Sequence, residues 1–131
     1  MLSHPFQLVL LASFLIAVIG VLGVQIPTSH RLKKRGFYGR GTWYDAGEGN
    51  CGEYDSDQDH IVAVSEARYN GGAHCNQYIT IRDTQNRRQT RAMVHDSCPG
   101  CGTNDLDMAK GLFAYFDNPS RGEIPIEWWF D

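Results

Sequence analysis

Basic residues are scarce in this 131-residue chain once its first 35 positions are set aside. Of its 12 Lys and Arg, four lie there (Arg31, Lys33, Lys34, Arg35), leaving eight against all 15 acidic residues. Residues 36–131 therefore carry a net charge of about −7, against −3 for the whole chain. That balance argues against nucleic acid, whose phosphates need clustered Lys and Arg. It disfavours anionic membrane surfaces for the same reason. There is no internal repeat and no low-complexity tract, so a solenoid or a disordered tail is not expected. Helical periodicity is scarce as well, and alternation takes its place.

Long apolar runs are also few. Leu8–Val24 is the main one, and it falls short of the ~20 residues that span a bilayer comfortably. It has the length of a secretory h-region plus cleavage zone, with small or tolerated residues at Val21-Leu22-Gly23. Residues 1–23 are therefore expected to be a signal peptide, although the n-region has no Lys or Arg. A membrane anchor is the rival reading, and the missing flanking charge speaks against it. Residues 24–35 end in Lys33-Lys34-Arg35, where a kexin-like protease could cut; a solvated basic linker is the alternative. Either way, residues 36–131 form one domain with a modest core, the size at which secreted domains add disulfides.

All four cysteines, Cys51, Cys75, Cys98 and Cys101, fall in that domain. An even count in an exported chain reads as two bridges, with three possible pairings. Cys98-Pro99-Gly100-Cys101 follows a β-like run and contains a Pro-Gly turn, unlike the βαβ setting of a redox pair. A zinc site lacks its second paired ligand spacing. No metal or cofactor is expected. The favoured pairing is Cys98–Cys101 with Cys51–Cys75, and a cross-pairing stays open.

Short alternating segments make up the rest. Gly41–Tyr44, Ile61–Val64, Tyr78–Arg82 and Gln89–His95 read as strands, the last two joined by a polar turn at 83–88. In Glu123–Phe130, the residues Ile124, Ile126, Trp128 and Phe130 share one face. Pro125 lacks an amide donor, so it belongs at an edge or a bulge. Met108–Phe116 is the one helical candidate, burying Leu112, Phe113 and Phe116. The pattern predicts a small all-β barrel or sandwich.

Two carboxylates bracket the cysteine turn. Asp96 ends a strand, and Asp107 opens the helical run. Each has a bland reading: Asp96 as an Asx-turn, Asp107 or Asp105 as a helix N-cap. Brought together by a cross-linked turn, they could instead bind sugar hydroxyls or do acid/base chemistry. Thr42-Trp43-Tyr44 adds hydroxyls and aromatic surface, with Trp43 on the opposite face from its neighbours. His60, His74 and His95 show no partner spacing and read as surface or turn residues.

The blocks GTWYDAGEGNCG, HIVAVSEARYNGG, VHDSCPGCGTNDLDMAKGLFAYF and IPIEWWF, in that order, resemble fungal single-domain expansin-like proteins. These loosenin-like chains are related more distantly to plant expansins, barwin and the RlpA-like domain. The resemblance covers nearly all of residues 39–130. It implies an all-β fold, a six-stranded double-psi β-barrel with one or two short helices, stabilised by disulfides. It also implies a secreted, extracellular or cell-wall monomer whose open groove binds cell-wall polysaccharide (cellulose, chitin or a related glycan), usually without hydrolysis. Carried onto this chain, the groove residues are Thr42, Tyr44, Asp96 and Asp107, with Trp43 or Tyr54 available to stack on sugar. Family-45 endoglucanases share the barrel and place a base in a T-x-Y-x-D pattern. Ala46 stands at that position here, which argues against inverting hydrolysis, since a second carboxylate must activate water. Asp105 stands where expansins often have His. No second carbohydrate-binding domain is expected, so binding would rest on the barrel alone. Two alternatives remain. One is a glycan-cleaving enzyme with Asp107 as its acid. The other is a module binding a protein, such as a protease or host partner, through loops like Gly47–Gln58.

Overall fold

A computed structural model describes residues 35–131, together with Gly20 and Gly23. The expected signal peptide, 1–23, and propeptide or linker, 24–35, lie almost wholly outside the described residues. Within the unit Leu32–Asp131, six strands close on themselves into one barrel. They are β1 Phe37–Tyr44, β2 Ile61–Ser65, β3 Tyr78–Asp83, β4 Gln89–Cys98, β5 Leu106–Ala109 and β6 Ile124–Phe130. Around the barrel the order is β1-β5-β2-β4-β3-β6, with β1·β5 and β2·β4 parallel and the other pairs antiparallel. Two short helices, α1 Glu66–Tyr69 and α2 Lys110–Phe116, complete it. The expected all-β, six-stranded barrel with short helices is what forms.

Alternation sorts the strands into an inner and an outer face. Val62, Val64, Ile79, Ile81, Leu106, Met108, Ile124, Ile126 and Trp128 fill the interior and are essentially inaccessible. Phe130 packs against that core from its edge, so the face read from the last segment holds. β2 is buried at every position, with strands flanking it on both sides. α2 adds Leu112, Phe113 and Phe116 to the same core.

One local expectation needs correction. The helix starts at Lys110, not Met108, because Leu106–Ala109 is drawn into the sheet between β1 and β2. Asp107 is therefore a strand residue and no N-cap. An orphan amide of the first helical turn is met instead by Asp57, whose carbonyl accepts from Gly111 N at 2.7 Å. A Cβ on Gly111 would lie 2.5 Å from that oxygen, so the approach requires glycine. Pro125 is opposite Arg40 on β1 and lies one step past the last β3 register pair, Asp83↔Ile126, so its missing amide falls where the β3 ladder ends, and its carbonyl accepts from Thr84 N at 3.0 Å.

The bridges are Cys51–Cys75 and Cys98–Cys101, as favoured. With every cysteine oxidised, no thiolate is left for zinc. The first bridge ties the long 45–58 loop to the segment after α1, and the second closes the turn between β4 and β5. Sequence separations of 24 and 3 give them unequal thermodynamic weight. Chain-entropy arguments assign about 3.5 kcal/mol to the longer loop and about 2 kcal/mol to the shorter. Replacing Cys51 and Cys75 by Ser should thus lower unfolding free energy more than replacing Cys98 and Cys101, as read by urea denaturation. The reverse order would mean that the short bridge stabilises chiefly by holding native geometry.

Candidate functional site

Strand register lines up the candidate groove. Thr42 on β1 is opposite Asp107 on β5; Asp107 is opposite Ala63 on β2; Ala63 is opposite Asp96 on β4. Registered residues of neighbouring strands share a face. The row Thr42-Asp107-Ala63-Asp96 therefore runs across four strands, on the face away from the core. Ala63 contributes only a methyl group, leaving a shallow floor between the two carboxylates. Tyr44 lies two residues along β1 from Thr42, on the same face.

Asp96 owes its outward aim to a bulge. β2 and β4 are in step at Val62↔Val94, but the next pair is Ala63↔Asp96. β4 spends one extra residue, His95, where β2 spends none. Simple alternation from Ala92 and Val94 would have turned Asp96 into the core; the bulge re-aims it. His95 itself is not the surface residue its sequence setting implied. It is 9 % exposed, and its Nδ1 donates to the Asp55 carboxylate at 2.9 and 3.0 Å. Its carbonyl accepts from Cys51 N at 3.0 Å, and a Cβ on Gly49 would lie 2.3 Å from that oxygen. The 45–58 loop is thus seated on the bulge by Asp55, Cys51 and the close approach of Gly49. His60 is exposed as expected, while His74 is half-buried and stacks on Phe130 at 4.4 Å.

The seated loop completes the coordination of Asp96. Its Oδ1 accepts from Asn50 N at 2.9 Å and Ser97 N at 2.8 Å, and Oδ2 from the Tyr44 hydroxyl at a long 3.4 Å. Asp107 Oδ1 accepts from the Thr42 hydroxyl at 2.9 Å. Burial raises the Asp107 carboxyl above its ordinary range; the Thr42 hydrogen bond opposes this, and repulsion from Asp96 adds to it. Burial also pushes the Tyr44 phenol well above its ordinary range, helped by the negative charges of Asp96, Asp107 and Asp55. Tyr44 therefore stays a hydroxyl donor at any ordinary pH. Asp105 is held apart from this pair: burial would raise it, but the Arg40 amide and guanidinium outweigh burial and hold it low.

Thr42, Tyr44, Asp96 and Asp107 are thus brought together. Trp43 is not with them: it packs against the core, its indole N–H donates to the Pro119 carbonyl at 2.8 Å, and Lys110 lies over its ring. Tyr54 is 83 % exposed on the loop that flanks Asp96. Nothing in the sequence marks Asn50, Asp55 or Ala63 as site residues, or His95 as more than a surface or turn residue. Only a phase slip in β4, invisible without the β2 register, could have signalled them.

No known family profile matches the chain. A papain inhibitor from Streptomyces mobaraensis is 28 % identical over 131 residues, spanning 94 % of this chain and 87 % of the relative. An EG45-like domain containing protein from Citrus jambhiri is 29 % identical over 87 residues, 59 % of this chain and 66 % of its own. Among solved structures, a mutant Clavibacter michiganensis expansin in complex with cellohexaose superposes with a TM-score of 0.66 at 28 % identity. That match covers 73 % of this chain and only 50 % of the expansin chain. The Streptomyces papain inhibitor superposes at 0.64 with 27 % identity, covering 74 % of this chain and 94 % of its own. The fold is a double-psi β-barrel. The relatives of this double-psi barrel are barwin-like proteins of that class.

The raised carboxyl of Asp107 has a thermodynamic sign. A group whose folded pKa is raised contributes stability that is fully present below its unfolded pKa, 3.8, and lost as pH rises through the folded value. At neutral pH the ionised, half-buried Asp107 is therefore a net cost. Asp107→Asn keeps an acceptor for Thr42 and removes that cost. We expect the variant to be more stable than the parent at pH 7. The gain should vanish as pH falls below the carboxylate range, as read from urea unfolding at several pH values. A variant less stable than the parent at pH 7 would contradict this account.

Proposed function

We propose that this double-psi barrel is a secreted, monomeric, loosenin-like protein of fungal type that binds cell-wall polysaccharide without hydrolysing it. The observation that carries the reading is the outward row Thr42-Asp107-Ala63-Asp96 with Tyr44 beside it. Such a row offers a polymer chain a shallow track of acceptors and hydroxyl donors on a rigid sheet. Asp107 accepts from sugar hydroxyls at the centre, Thr42 orients it, and Asp96 and Tyr44 extend the polar contacts. Tyr54 supplies an exposed ring for stacking on sugar C–H faces. Trp43 acts by supporting β1 from within. The cellohexaose complex of a structurally similar expansin supports a glycan as the ligand class.

Hydrolysis by inversion calls for an acid and a separate base with room for a water. Asp107, with its raised carboxyl, has the character of an acid. Asp96 is engaged by two backbone amides and a phenol, and Ala46 occupies the position where a base would stand. This distribution favours binding over cleavage.

A protein-binding reading has its own support. The papain inhibitor is matched over nearly its full length, whereas the chain spans about half of the expansin. The loop 45–58, cross-linked by Cys51–Cys75 and seated on β4, would be the contact surface.

A single experiment separates the readings. The purified protein is incubated with insoluble cellulose, chitin and xylan, and each tube is assayed for depleted protein and released sugar; papain inhibition is measured in parallel. Retention without products is expected, weakened about tenfold by Asp107→Asn, the scale of one charge-assisted hydrogen bond. Products lost in Asp107→Asn would make it a glycan-cleaving enzyme. Papain inhibition without glycan retention would establish the protein-binding reading instead.

A further inference from the structure

Charge in this barrel is unevenly divided. The segments that build the groove and its rim, residues 36–76 and 95–110, carry three cations against ten carboxylates. The remaining segments, 77–94 and 111–131, carry five against five. In that second set Arg82 pairs with Glu127, Arg91 with Asp131 and Arg121 with Asp117, while Glu123 pairs with Arg40 of the first set. The whole excess of about −7 therefore belongs to the groove segments.

The three cations of those segments are all engaged away from the central row. Arg40 is bound to Asp105 and Glu123. Arg68 lies over the Phe37 ring and donates to Asn104. Lys110 lies over Trp43. Asp96 and Asp107 accept only from amides and hydroxyls, so two carboxylates face the track with no counter-ion from the described residues. Asp45, next in sequence to Tyr44, is exposed just past the end of β1. Like charges held on a half-buried surface raise each other's energy, and a cation placed between them lowers it.

We infer that the groove selects a polysaccharide bearing protonated amines, a partly deacetylated aminoglycan, over neutral glycans, and rejects uronic-acid polymers. An ammonium group would replace one sugar hydroxyl over Ala63, within reach of both carboxylates. The inference rests on the glycan-binding reading of the same groove and names its substrate class.

The purified protein is titrated at about pH 6, well above the ordinary carboxylate range because the Asp107 carboxyl is raised, onto chitin, the same chitin partly deacetylated, cellulose and a polyuronate. We expect the deacetylated polymer to bind about tenfold more tightly than its acetylated parent, a gain that salt reduces. Asp107→Asn and, separately, Asp45→Asn should shrink this preference. Asp117→Asn, which removes the same charge from the balanced set of segments, should leave it unchanged. Thermal melting verifies that each variant is folded. Equal retention on acetylated and deacetylated polymer overturns the inference while leaving glycan binding intact. An amine preference that survives Asp107→Asn and Asp45→Asn, or falls equally in Asp117→Asn, also overturns it, because the attraction then belongs to overall charge. Failure to bind any of the four polymers removes both the inference and the reading beneath it.

Discussion

One extra residue in β4 governs the geometry of this groove. With His95 inserted between Val94 and Asp96, the strand changes phase against β2, and a carboxylate destined for the core emerges on the surface. The inserted backbone then becomes an anchor. The His95 carbonyl takes the Cys51 amide, its ring takes Asp55, and the loop so fixed returns an amide from Asn50 to Asp96. Bulge, loop and carboxylate form a closed circuit, in which each member is held by the one before it.

The second carboxylate is placed by a different device. Asp107 stands on a four-residue strand wedged between β1 and β2, next to the threonine that orients it. The short strand leads into α2, whose buried Leu112, Phe113 and Phe116 tie it to the core. Asp107 thus rests on packing, and Asp96 on a network of hydrogen bonds. Both acceptors are thereby held at fixed places on the barrel surface.

Much of this was legible in the sequence, and the losses have definite causes. The strands of β3, β4 and β6 were visible because each alternates between a filled core and an outer face. Leu112, Phe113 and Phe116 announced the helix by their spacing. Asp107 was misassigned to a helical turn because β5 has four residues, too few for alternation to outweigh the helical signal that follows. Asp96 was found through its motif. Its partners Asn50 and Tyr44 lie 46 and 52 positions away, so only the register could place their contacts. His95 was misplaced for the same reason: an isolated histidine shows nothing of an aspartate 40 positions earlier.

The groove side chains stand at positions 42, 44, 96 and 107, and the pairings Thr42↔Asp107 and Ala63↔Asp96 join segments distant along the chain. Contacts of that kind form only after large loops have closed, which makes folding slow relative to helical domains of the same size. The two carboxylates reach the same face only when β5, β2 and β4 are in register, and Thr42 and Tyr44 join them with β1. Appearance of the groove after dilution from denaturant would therefore time the pairing of those four strands more directly than any measure of strand content.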